Sequence, residues 1–308
     1  MKKILFILGI AAFGFVSCDK VENPYPASNQ GDYSLYPDGD SAHYAQNVWP
    51  TFTTNTNTDR NVLIEDYTGH QCIFCPAAAD AAHQLSVDNP GRVVISTIHT
   101  GASGQMEAFQ EITPPTFTTD FTNAEGFAIG KYFGFDWPGS PFVGNPFGSV
   151  SRADHGNGYP TLTAGSWASA TDAMLLANDN KVNIQAVSNY YPSTRGLFLH
   201  AEVDVVDATL TNQLNIVVHL LEDTLVAPQK YPSYTEYNYV HRDIFRGSID
   251  GFTFGQPLDA SNITPTGTHE FFYIYELPTQ YNPDNMHVII YVRDAVTEEV
   301  YQVIKKHL

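Results

Sequence analysis

Cys72 and Cys75 stand two residues apart in NVLIEDYTGHQCIFCPAAADAAHQL, between an apolar run and an alanine-rich run. That placement constrains the surrounding fold more than any other feature of the chain. Asn61 to Asp66 has the short apolar pattern of a buried strand. An alanine-rich helix is expected from about Cys72 to Val87, closed by Asp88-Asn89-Pro90-Gly91. Arg92 to His99 is rich in β-branched residues and reads as the next strand. Strand, helix and strand make a βαβ unit with the cysteines where the first strand hands over to the helix. A cysteine at a helix N-terminus meets unpaired N–H groups and the positive end of the helix dipole, which favour its thiolate.

The third cysteine has a different assignment. Lys2 and Lys3 precede an apolar stretch from Ile4 to Val16, too short to span a bilayer comfortably. It ends in Phe15-Val16-Ser17-Cys18, which resembles a bacterial lipobox, and a lipobox cysteine is lipidated and becomes the mature N-terminus. Cys18 is therefore the expected lipidation site. Removing Lys2 and Lys3 with the leader takes the formal charge from −18 to about −20. Such a surface disfavours nucleic acid and direct adhesion to anionic headgroups. The expected partners are the membrane, through the lipid at Cys18, and exported proteins carrying thiols or disulfides.

VLIEDYTGHQCIFC resembles the active-site strand and turn of the thioredoxin superfamily. The resemblance implies that Cys72 is the attacking, more exposed thiol, that Cys75 resolves the mixed disulfide, and that Asp66 is a buried proton relay. Glu65 is the alternative acid if the register slips by one. It also implies a cis-proline opposite the cysteines. Gly139-Ser140-Pro141-Phe142-Val143 fits, with Pro141 as the candidate and Pro138 and Pro146 as competitors. Ser140 would then present its backbone to substrate, with Phe74 and His70 beside it in the groove. The chain departs from a minimal thioredoxin in its Ile73-Phe74 dipeptide, in His70-Gln71 before the first cysteine, and in an insertion over residues 101–135. A helix around Asn123–Phe133 is expected to end that insertion.

The remainder reads as strands. After a helix from Ser166 to Leu176, the segments VNIQAV, LFLHAEVDVV, LNIVVHLL, EFFYIYEL, HVIIYVRD and EVYQVIKK follow without intervening helices, as an antiparallel β-sandwich would. The expected fold class is thus an α/β thioredoxin-like domain followed by an antiparallel β-sandwich domain. Its expected boundaries are a signal peptide at 1–17, a flexible tether and lead-in at 18–60, the thioredoxin-like domain at 61–179 and the sandwich at 180–308. Tyr237 to Arg246 carries aromatics, a histidine and two arginines, and is expected at a strand edge packed on its own domain.

The whole arrangement is similar to the bacterial outer-membrane lipoproteins named after a twenty-eight-kilodalton outer-membrane protein. Glu65-Asp66-Tyr67-Thr68-Gly69 through Cys75-Pro76 carry that resemblance, with Leu220-Leu-Glu-Asp223, Tyr239-Val-His-Arg242 and Glu299-Val-Tyr-Gln302. It implies an outer-membrane location. No cofactor is implied. A soft metal site on His70, Cys72, Cys75 and His99 lacks the second C-x-x-C or H-x₃₋₅-H pair that structural zinc uses, so no metal is expected. Two functions remain open: thiol–disulfide exchange at Cys72 and Cys75, and a surface binding or adhesin-type lipoprotein whose C-x-x-C is a static disulfide.

Overall fold

The computed structural model describes residues 31–101, 105–142, 144–259 and 267–308. The lipobox and Cys18 lie outside them. β1 (Val62–Thr68) and β2 (Val93–His99) are parallel and flank α2 (Cys75–Asp88), as the sequence pattern requires. The helix begins at Cys75, three residues later than expected, with Pro76 in its first turn, where a missing N–H costs nothing.

On this unit the chain builds a mostly β structure. β3 (Phe147–Val150) pairs antiparallel with β1, and β4 (Thr161–Thr163) with β3. α5 (Trp167–Ala177) then buries Trp167 against α2 and β1. The later strands are β5 (Val182–Tyr191), β6 (Gly196–Val205), β7 (Leu214–Glu222), β8 (Leu225–Lys230), β9 (Thr235–His241), β10 (Ile244–Ser248), β11 (Gln256–Pro257), β12 (Gly267–Glu276), β13 (Met286–Asp294) and β14 (Val300–His307). β10 aligns with β2, and β7, β13 and β14 follow outward, giving the order β14-β13-β7-β10-β2-β1-β3-β4 with β11 added on β7. One mixed nine-stranded sheet therefore takes strands from both halves of the chain. β5, β6 and β12 form a separate three-stranded sheet that packs on β7 and β13. β8 and β9 are a free two-stranded hairpin.

This corrects the expected fold class. A thioredoxin-like domain followed by a separate antiparallel sandwich is not what forms, because β10 extends the sheet of β1 and β2 directly into the C-terminal strands. β7 shows why: eight of its nine residues are buried, so it needs cover on both faces.

The lead-in also differs from expectation. From Gly31 on, the chain packs on the small sheet. Asp40 caps α1 (Ser41–Asn47), and Tyr36 and Tyr44 are buried with Phe198. The Tyr44 hydroxyl lies 2.8 Å from Nε2 of His200. Tyr33, Tyr36 and Tyr44, with Leu35 and Val48, anchor the segment there. In the expected insertion, α3 (Gln105–Ala108) is short, and α4 (Ala124–Ile129), capped by Asn123, runs into a π-helical turn over Gly130–Asp136. Residues 237–246 form the end of β9 and the start of β10, with Arg246 paired to Glu222 at 2.7 Å.

Glu65 and Asp66 show how β1 ties the layers together. Alternation along a strand sends neighbours to opposite faces. Glu65 meets Arg152, whose Nε donates to Oε2 at 2.9 Å, and Ser149 donates to the same oxygen at 2.8 Å. Arg152 also donates to the Tyr291 hydroxyl at 3.0 Å and lies 4.3 Å from the centre of the Phe133 ring. Burial alone would raise the Glu65 pKa, but the Arg152 charge and its hydrogen bonds outweigh it and hold the carboxyl below its ordinary value. Asp66, on the other face, has no such partner.

Candidate functional site

Cys72 and Cys75 are joined in a disulfide with their Cα atoms 5.4 Å apart. Cys72 sits in the loop after β1, where its N–H donates to Gly69 O at 3.0 Å, and Cys75 opens α2. The helix N-terminus thus belongs to Cys75. Both cysteines are 1% exposed, so Cys72 is not the more accessible of the two. Phe74 between them is 64% exposed.

A cavity of about 30 Å³ lies behind the disulfide, lined by Asp66, Cys75, His99, Gln229, Tyr239 and His241 among others. Its volume suits one or two waters. Asp66 is fully buried, and neither carboxyl oxygen has a protein hydrogen-bond partner. Burial pushes its pKa up to about 8, so the carboxyl is protonated at neutral pH. Asp66 shares the cavity with Cys75, while Glu65 is consumed by its ion pair with Arg152.

Three imidazoles stand around Phe121 on the same side. His99 stacks on it at 4.5 Å, His241 lies 4.3 Å away and His70 lies 5.5 Å away. Burial lowers all three pKa values, that of His241 to about 3 with help from His70, so the rings are neutral. Neither nitrogen of His99 has a protein partner. Among the described residues no group of three or more His, Cys, Asp or Glu side chains is placed to hold a metal ion; an aromatic ring fills the space between the imidazoles. His70 is buried, with Nε2 3.1 Å from Glu111 O, and does not face an open groove.

The proline assignment is corrected. The cis bonds of the described residues are Pro114–Pro115 and Asn145–Pro146, so the cis-proline ahead of β3 is Pro146, five residues beyond Pro141. Ser140 pairs with Thr161 at 3.2 Å, and neither Ser140 nor Pro141 lines the cavity beside Cys75. Asn145 instead donates to both Thr68 O and Thr100 O at 2.8 Å, and Gln110 donates to the same two carbonyls at 2.7 and 3.1 Å. These two amides clamp the C-terminal ends of β1 and β2 under the disulfide loop. Gln229, Tyr239 and His241 come from β8 and β9. No local motif announces Gln229, and the Tyr239-Val-His-Arg242 segment carries the family resemblance without placing Tyr239 and His241 at the site.

A family model described as outer membrane protein Omp28 matches residues 143–308. Among solved structures, HBP35 of Porphyromonas gingivalis aligns with a TM-score of 0.59 at 14% identity, over 82% of this chain and 77% of that one. A domain of the outer membrane lipoprotein Omp28 from Porphyromonas gingivalis aligns with a TM-score of 0.30 at 19% identity, over 42% of this chain and 89% of that one. No curated protein matches the chain. The match to HBP35 is a likeness of fold. The family match covers the C-terminal strands and begins after the disulfide loop.

Proposed function

The chain belongs to the outer membrane protein Omp28 family and is a protein of the bacterial outer membrane, and from that premise we propose that it is a lipoprotein that carries out thiol–disulfide exchange on exported proteins at Cys72 and Cys75. Lipidation at Cys18 anchors it. One observation carries the reading: a fully buried, unpaired Asp66 shares a cavity with Cys75. A lone buried carboxyl lowers stability, and a static disulfide has no use for one. A leaving thiolate has.

From the disulfide state, a substrate thiolate attacks Cys72 Sγ. The Cys72–Cys75 bond breaks as the substrate–Cys72 bond forms, and Cys75 leaves with the electron pair. Asp66, protonated at neutral pH, delivers its proton to Cys75 Sγ directly or through a water in the cavity. A second substrate thiolate then attacks the substrate sulfur of the mixed disulfide and releases Cys72. The substrate gains a disulfide and loses two electrons, which the Cys72–Cys75 pair takes up.

The burial of both sulfurs favours a second reading, a surface binding lipoprotein with a static disulfide. Trapping separates the two. Cys75→Ser is expected to accumulate mixed disulfides with envelope proteins on non-reducing gels, and Cys72→Ser is expected to accumulate none. Absence of adducts in both variants would support the static disulfide.

A further inference from the structure

The loop that carries Cys72 is held from two sides. On one, Gln71 N–H donates to Phe109 O at 3.0 Å, and the Gln71 side-chain amide donates to Glu111 O at 2.7 Å. On the other, the contacts come from β8. Lys230 N–H donates to His70 O at 2.9 Å, and the buried Gln229 amide donates to Cys72 O at 3.1 Å and Gly69 O at 3.4 Å. Three carbonyls of the disulfide loop thus point at a strand supplied by a distant part of the same chain.

That strand is built unevenly. The β8–β9 hairpin belongs to neither larger sheet. Its register shifts between Ala227 and Gln229, at Pro228, which has no N–H to give to the ladder. Below the shift, Ala227 is buried with Phe121 and Ile244 and anchors the hairpin base. Above it, Tyr231 N–H closes a tight turn onto Tyr234 O at 2.8 Å, and Tyr234 and Tyr237 are exposed. The base is fixed in the core, while the distal part extends into solvent across the disulfide loop. Two-stranded hairpins are marginally stable on their own, so the distal part depends on contacts such as those it makes with the loop.

We propose that the carbonyls of Gly69, His70 and Cys72 form a docking slot for an extended polypeptide that carries the substrate thiol, and that residues 229–230 fill this slot until such a polypeptide displaces them. The inference rests on the exchange reading above and names its substrate class. An extended backbone presents N–H donors to carbonyl acceptors as Lys230 does to His70 O, and its side chains can donate as the Gln229 amide does to Gly69 O and Cys72 O, whereas a small thiol such as glutathione has little extended backbone to offer. Phe74, exposed beside Cys72, supplies apolar contact for a side chain of the incoming strand. Displacement also uncovers Cys72, which direct attack requires.

Two measurements on the oxidised full chain test this. The first is reduction by dithiothreitol, followed by alkylation gel shift, in wild type and Gln229→Ala. Losing both side-chain hydrogen bonds to the loop should speed reduction by about tenfold, in a variant whose near-UV circular dichroism stays native. The second uses wild type alone, with unfolded, carboxymethylated ribonuclease A as a thiol-free extended polypeptide. Amide hydrogen exchange over residues 229–236 should accelerate at least severalfold when it is added. An unchanged reduction rate in a natively folded Gln229→Ala, or unchanged exchange at saturating ribonuclease, would overturn the slot. If both results are as expected but Cys75→Ser traps no adducts, the slot stands and the exchange reading falls. Adducts trapped with neither result leave the exchange reading and remove the slot.

Discussion

Asp66→Asn should make the protein more stable at neutral and alkaline pH while slowing release of Cys75. Burial raises the Asp66 pKa from 3.8 to about 8 in the folded state. Between those values the folded chain holds a proton that the unfolded chain has lost. Stability contributed by Asp66 is therefore complete below about pH 4 and falls by about 1.4 kcal/mol per pH unit up to about pH 8. Asparagine removes that slope, so the variant should gain a few kcal/mol over wild type at pH 8 and little at pH 4. The neutral histidines His99, His219 and His241 lean the other way, because their pKa values are lowered and their contribution is lost as pH falls. The difference between variant and wild type cancels them. Urea unfolding with the disulfide intact, repeated from pH 4 to 8, reads the effect. Because asparagine cannot act as the acid, single-turnover exchange should slow by about 10²-fold or more at pH 7. Equal pH slopes and equal exchange rates in the two proteins would remove Asp66 from the chemistry.

Arg152→Met should be among the most damaging single changes. Its guanidinium bridges β1 and β13 through Glu65 and Tyr291, in a site closed to solvent. Removing it leaves the Glu65 carboxylate buried and unpaired, which costs about 3–5 kcal/mol. The same logic fixes the pH sign. Without Arg152, burial is opposed only by the Ser149 hydrogen bond and the His219 interaction, so the Glu65 pKa should rise and the variant should recover stability on acidification. Adding Glu65→Leu to Arg152→Met should restore much of the loss, since replacing a buried pair by apolar groups is often neutral. Thermal unfolding of the wild type and the two variants checks this. If the single and double variants are equally unstable, the ion pair is not what joins the strands.

The local pieces of this fold were legible in the chain and their assembly was not. VLIEDYT and VVISTIH are β-branched or apolar runs flanking an alanine-rich stretch, and they form β1, α2 and β2. LNIVVHLL is apolar almost without alternation, the mark of a strand covered on both faces. Grouped with its neighbours it reads as a sandwich strand, whereas it forms β7, covered on both faces inside the large mixed sheet. Sheet order depends on pairings such as Ile244 with Thr97, 147 residues apart, and no local pattern encodes them. The pattern puts the helix start at about Cys72, three residues before Cys75, where Pro76 sits in the first turn, and choosing between Pro141 and Pro146 required the cis bond at Asn145–Pro146. Within the site, Asp66 and the cysteines lie in one motif. Gln229, Tyr239 and His241 reach it only through tertiary structure, on a hairpin interrupted by Pro228.

The most direct test of the central claim is the equilibrium redox potential of the Cys72–Cys75 pair, titrated against glutathione in the folded protein. Exchange chemistry predicts a value in the range of known exchange catalysts, roughly −120 to −270 mV. A value well below about −300 mV, or a pair that is reduced only on unfolding, would contradict it and make the disulfide a structural one.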